Sequence, residues 1–310
     1  MNTQSNGISG SFESQPITAA VVRTTRPLYW SLRRELWENR FIYIAPLAAA
    51  GLFLLAFLIS LIHLPARIRS ASPLNLEQYR EVISRPYDTV AGLMMLACML
   101  VSVFYCLDAL YGERRDRSIL FWKSLPVSDA TTVLAKVIVP FVIVPLVTTA
   151  IGVATQFVMA LVSSVVLLAS GLSVATLWAS LSLPRMSLLL LYHILTAHTY
   201  WPAPIYCWML LVSCSVRRAP FLWAILPPLA VAGAEKLLFH TSYVGDLLLG
   251  RFFGSAPTQA SGADYIFPTN PMAHITPAEY MSSPGLWIGL LISAGFVLVA
   301  VRLRRYREPI

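Results

Sequence analysis

Few residues of this 310-residue chain could do covalent or metal chemistry, and they are scattered. His63, His193, His198, His240 and His274 lie far apart, and His193 and His198, five positions apart, fall off a common helical face. Such a set does not make the compact four-ligand cluster that a structural zinc requires. Cys98 and Cys106, like Cys207 and Cys214, share a helical face, but all four sit in apolar runs, where free thiols act as small packing residues. No phosphate loop, GxSxG, HExxH or CxxC pattern occurs, and no acid, base and nucleophile come together. The reading is therefore catalytic residues none, metal none, and no enzyme activity in this chain.

One stretch is chemically distinctive in another way. Tyr111–Lys136, YGERRDRSILFWKSLPVSDATTVLAK, is a charged island that holds Ile119, Leu120, Phe121 and Trp122 in a row. Arg114, Arg115, Arg117 and Lys123 surround these residues. A buried aromatic anchor inside a polar rim is the usual chemistry of protein docking. The blander reading is that Ile119–Trp122 dips into a headgroup layer. Pro126 ends the short apolar helix Ser118–Leu125, and Ser128 and Asp129 then open the next helix as cap and first-turn acid.

Long uncharged runs flank the island. Charged residues make up 12% and hydrophobic residues 57% of the chain, against about 25% charged in ordinary soluble domains. No Asp, Glu, Lys or Arg occurs from Val137 to Pro184 or from Met186 to Val216. Runs of that length exceed the roughly 20 apolar residues that cross a bilayer. The expected fold is all-α and polytopic, since helices satisfy their own backbone groups in lipid. Six spans are expected at Tyr43–His63, Thr89–Asp108, Thr132–Leu161, Ser187–Ser215, Pro220–His240 and Pro284–Val301. Pro140 and Pro145, and Pro202 and Pro204, are kink candidates in the two longest.

Basic residues orient the bundle. Arg33, Arg34 and Arg40, the island arginines, Arg217 and Arg218, and Arg302, Arg304 and Arg305 cluster on one side, whereas Arg67, Arg85 and Arg251 are sparser on the other. The positive-inside rule then puts both termini in the cytoplasm. It also accounts for the net charge of +8 without nucleic acid. Residues 1–25 read as a disordered cytoplasmic tail, and 26–310 as the membrane domain. Within it, Arg26–Phe41 reads as an interfacial helix. Leu28, Leu32 and Leu36 form one stripe, with Trp30 and Trp37 on another side, Arg33 and Arg40 between the two groups, and Arg34 beside them in sequence. Residues 111–131 form an inside loop, and 241–283 a long outside loop in which 243–253 can re-enter the bilayer.

Polar residues at membrane depth are costly and face a bundle interior. Gln156, His193, His198, Tyr200 and Glu235 are therefore pathway or gate candidates, with plain helix–helix hydrogen bonding as the alternative. Tyr200, Trp201, Tyr206 and Trp208 would suit a hydrophobic cargo or simply face lipid. Gly285 and Gly289 give the last span a GxxxG motif that can bring two helices close.

The island resembles the first cytoplasmic loop of ABC-2 type transporter permeases, the membrane subunits of ABC exporters. The matching residues are Glu113, Arg114, Asp116 and Ser118, then Lys123, Ser124, Leu125, Pro126, Val127, Ser128 and Lys136. A second match is PAPIYCWMLLVSCSVRRAPFLWAILPPLAV at Pro202–Val231, similar to the fourth and fifth helices of a bacterial branch of that family. The resemblance implies an export permease of a bacterial cytoplasmic (inner) membrane, its cargo unspecified. It would pair with a second permease copy, identical or homologous, and with two copies of a separate ATP-binding subunit. The chain itself would hold no cofactor; ATP and Mg²⁺ would belong to that partner. Ser118–Leu125 would be the coupling helix docked in the ATPase, and Arg26–Phe41 the connecting helix beside it. The near absence of a loop at Arg217–Pro220 departs from the wider family and leaves little room for a second coupling contact. The alternative is a non-transporting membrane anchor or assembly subunit of another complex.

Overall fold

A computed structural model describes residues 27–71, 76–116, 127–253 and 277–306 of the chain. The expected tail, the segment 117–126 with Arg117, Ile119, Leu120, Phe121, Trp122 and Lys123, and most of the 241–283 loop lie outside the described residues.

The described residues are helical throughout, with no strand among them. Helix α1 is Pro27–Glu38, with proline at its first position, where its missing N–H is no loss. Six helical segments are long and apolar enough to cross a membrane: Phe41–Ser70, Gln78–Arg115, Asp129–Ala169, Val174–Tyr200, Pro220–Phe239 and Pro284–Tyr306. The chain is thus a multi-pass membrane protein.

The first span contains α2 (Phe41–Ser60) and α3 (Leu64–Ala71), and the second contains α4 (Leu76–Asp108) and α5 (Tyr111–Arg115). The third is α6 (Asp129–Ile138) followed by α7 (Val144–Ala169), and the fourth is α8 (Val174–Ser180) with α9 (Leu183–Leu195). Then come α10 (Ala203–Ser215), α11 (Pro220–Phe239), α12 (Tyr243–Phe253), α13 (Pro277–Ser282) and α14 (Pro284–Tyr306).

Helix α4 is the axis of the bundle. It packs on α2, α7 and α10, and its most apolar window is 72% buried, against 6% for α11. Lipid is as apolar as leucine, so close packing rather than hydrophobic burial must hold such helices together. Gly152 of α7 shows this directly: a Cβ there would meet Leu190 Cδ2 at 2.8 Å and Met94 Cγ at 3.0 Å. A larger residue there would have to push the Leu190 and Met94 side chains aside, so glycine favours the close approach of α7 to α4 and α9.

Two wide π-turns interrupt the third and fourth spans. One, Val139–Ile143, contains Pro140 and joins α6 to α7; the other, Thr196–Tyr200, follows α9. The single span expected at Ser187–Ser215 is corrected here. Pro202 and Pro204 lack the amide hydrogens that would continue the helix, so α9 and α10 are separate arms. The first three spans and the last run further than expected, most of all the second, which extends from Gln78 to Arg115.

Candidate functional site

The two ends of the charged island meet again in three dimensions. Ser128 caps α6, its hydroxyl accepting the Thr131 N–H at 3.1 Å, and the helix it starts carries Lys136 inward two turns later. At the island's other end, α5 is fastened to the end of α10. The Ser213 hydroxyl accepts the amides of Leu110 (3.0 Å) and Tyr111 (2.8 Å), and Arg114 donates to the carbonyls of Cys214 (2.7 Å) and Val216 (3.0 Å). Those carbonyls terminate a helix, lack intrahelical donors and carry the negative end of its dipole, so a guanidinium suits them. Arg114 is 3% exposed. Its expected place on a docking rim is therefore corrected: it braces the loop from beneath. Arg115 stays at the surface and pairs with Asp116 at 3.0 Å.

Between these fixed ends lies a buried charge cluster. Lys136 Nζ is 2.8 Å from Glu35 and 3.2 Å from Glu113. Arg34 bridges Glu35 at 2.8 Å and Glu113 at 2.7 Å. Arg304 of α14 reaches Glu113 at 2.7 Å and Asp129 at 3.2 Å. Tyr105 of α4 donates its hydroxyl to Glu35 at 2.9 Å, and the Asn39 amide adds a longer bond to the same carboxylate. Arg34, Lys136 and Arg304 thus face Glu35, Glu113 and Asp129, and these six charges balance; the half-exposed Glu38, 3.5 Å from Arg34, adds a further carboxylate at the edge. The cluster ties α1, α4, α5, α6 and α14 together at one end of the bundle.

Balance is required by the physics. An isolated ion taken out of water costs several kcal/mol even after relaxation, and only opposed charges with saturated hydrogen bonds recover that cost. Burial alone would raise the Glu35 carboxyl; the Lys136 ammonium and Arg34 guanidinium outweigh it and hold the group below its ordinary range. Burial likewise works against the Arg34 guanidinium, and Glu35 and Glu113 more than offset it. Every carboxylate here is engaged by cations. The arrangement can hold elements in register, but it presents no free base or nucleophile.

Helix α1 has two faces. Leu32 and Leu36 pack on the core and Glu35 is fully buried beside them. Trp30 and Trp37 are exposed, with the Arg33 guanidinium 5.4 Å from each ring. Of the connecting-helix residues, Trp30, Arg33 and Trp37 lie outside, whereas Arg34 belongs to the cluster. Glu35, Tyr105 and the inward role of Arg304 escaped the sequence reading. A signal existed: Glu35 falls on the Leu28–Leu32–Leu36 stripe, where an acid has no place without a partner.

The pathway candidates are not gathered along one cavity. Gln156 donates to the Tyr87 carbonyl at 3.3 Å, joining α7 to α4. His193 lies 2.9 Å from the Leu189 carbonyl one turn before it. His198 sits in the second π-turn, and Tyr200 stacks near Phe141 with centroids 6.1 Å apart. Glu235 corrects the gate expectation: its carboxylate accepts the amides of Tyr243 (2.8 Å) and Val244 (2.7 Å), so it caps α12. A helix start offers orphan N–H groups, and an acid is their natural partner. All four cysteines are free and buried, and no His/Cys/Asp/Glu group among the described residues could hold a metal. No family model, curated protein or solved structure matches the chain.

Proposed function

We propose that this chain is the membrane permease subunit of an ATP-driven exporter, coupled through the 111–136 island to a separate ATP-binding subunit. The observation that carries the reading is the charge cluster. Glu113 and Lys136 bracket the island; Lys136 pairs with Glu35 and Glu113 with Arg34, both on α1, and Glu113 also pairs with Arg304 of α14. A force on the island would therefore reach α1, α6 and α14 together, as a relay between a motor and a bundle requires. The π-turns in the third and fourth spans supply places where such motion can be absorbed. ABC-2 type architecture, the cytoplasmic placement of this end in a bacterial inner membrane, and a second permease copy belong to the same proposal.

Hydrolysis chemistry, with ATP and Mg²⁺, would lie wholly in the partner. Phe121 and Trp122 would anchor in its cleft, with Trp30, Arg33 and Trp37 on the neighbouring outer face of α1. The test is a Phe121→Ala, Trp122→Ala double variant co-expressed with a candidate ATP-binding subunit that co-purifies with the wild-type chain. Co-purification should be lost while membrane insertion and thermal stability are kept. An ATPase that still co-purifies with the double variant removes the docking claim.

A further inference from the structure

At the opposite side of the fold from the charge cluster, α10, α11, α12 and α14 surround an open-sided cavity of ≈ 650 Å³. That is within the range of about 300–1,000 Å³ typical of small-molecule sites. Ile205, Trp208, Ile225, Leu248, Ile292 and Phe296 give it a hydrocarbon and aromatic wall, and Arg251 is the one ionisable residue in its lining.

The seat of Arg251 is built. Its Nη1 donates to the Trp201 carbonyl at 3.1 Å, its Nη2 donates to the Gly285 carbonyl, and its guanidinium lies 4.5 Å from the Trp201 ring. The Trp201 indole in turn donates to the Gly250 carbonyl at 2.9 Å, tying the ring to α12. Gly285 and Gly289 of the GxxxG motif leave the slot this side chain fills: a Cβ on Gly289 would sit 2.6 Å from Nη1. Among the described residues no carboxylate pairs with Arg251. A guanidinium fork with donors to spare fits the oxygens of a phosphate or carboxylate.

We propose that this cavity binds an anionic phospholipid of the surrounding membrane, one acyl chain in the apolar cavity and the headgroup phosphate on Arg251. Helices α11 and α14 are spanning helices, so acyl chains are the hydrocarbon at hand. Every phospholipid offers a phosphate, but a zwitterionic headgroup also carries an ammonium that repels the guanidinium, so Arg251 favours a headgroup of net negative charge. A second copy of this chain is the weaker occupant. The exposed face of α11, with Phe221, Leu222, Trp223 and Leu226, would cover hydrocarbon but bring no anion to Arg251.

The experiment is native mass spectrometry of the full chain in neutral detergent, titrated with phosphatidylglycerol or phosphatidylcholine of identical acyl chains. Wild type should retain phosphatidylglycerol roughly tenfold more strongly, the scale of one charge-assisted contact. Arg251→Gln should reduce that retention to the phosphatidylcholine level. Arg251→Lys keeps the charge and should keep the preference, which separates lost recognition from lost folding. Leu248→Trp fills the cavity and should weaken both lipids. Equal retention of the two lipids by wild type, a preference that survives Arg251→Gln, or retention unmoved by Leu248→Trp would each overturn the proposal. So would a wild-type dimer that Leu248→Trp splits without loss of lipid, which would make the cavity an interface between copies.

Discussion

Arg304 belongs to the last helix and Arg251 reaches it from α12, and their surroundings are opposites. Arg304 is 3% exposed and meets two carboxylates, Glu113 and Asp129, in a cluster where every charge is answered. Arg251 is half-buried beside an apolar cavity, held by two backbone carbonyls and an indole ring. One end of the molecule spends its buried charge on holding helices in register. At the other, no carboxylate among the described residues pairs with Arg251, and this cation beside a cavity is the proposed recognition element. Burial of an arginine is therefore uninformative by itself; the neutralising partner, or its absence among the described residues, distinguishes a brace from a site.

The sharpest way to break this comparison is to remove one charge from each end. Lys136→Met leaves Glu35 and Glu113 to Arg34 and Arg304 alone, with one buried negative charge in excess, and should cost about 3–5 kcal/mol, as removal of one partner from a buried ionic group does. Arg251→Met loses two bonds to neutral carbonyls and should cost only about 1–2 kcal/mol. Thermal unfolding in detergent reads both, and equal losses would erase the distinction. Adding Glu35→Gln to Lys136→Met should cost less than the two single changes together, because the excess charge disappears with it.

A smaller effect should appear on acidification. The Glu35 carboxyl is held below its ordinary value, so its stabilisation is complete above the unfolded pKa of about 4.3 and is lost as pH falls through the lower folded value. Melting temperature should stay level from about pH 8 to pH 5 and drop below about pH 4. Glu35→Gln should flatten that acid limb. A wild-type decline already evident between pH 7 and pH 5 would mean that Glu35 is not held ionised.

The smallest effect tests the seat of Arg251. Alanine in place of glycine inside a helix normally stabilises by about 0.5–1 kcal/mol, and Gly51, with nothing within 4 Å of a new Cβ, should show that gain. Gly289→Ala should lose it, since its Cβ lands 2.6 Å from Arg251 Nη1 and displaces the guanidinium. Matching melting temperatures for the two variants would show that the slot is not tight.

What the amino-acid order determined by itself is the membrane fold: uncharged runs longer than a bilayer is thick leave helices as the only solution, and six helices meet that description. It also determined α1 with its tryptophans, the Ser128 cap, and the prolines at which the long spans depart from α-helix. Charge partners were beyond it. Glu35 and Lys136 are 101 positions apart, and Glu113 and Arg304 are 191 apart. Nothing local in sequence distinguishes a surface arginine from a buried brace such as Arg114. That choice is made when helices pack and low dielectric compels each buried charge to find an opposite one. The same packing turned a GxxxG motif into the seat of Arg251 and a presumed gate, Glu235, into the cap of a helix.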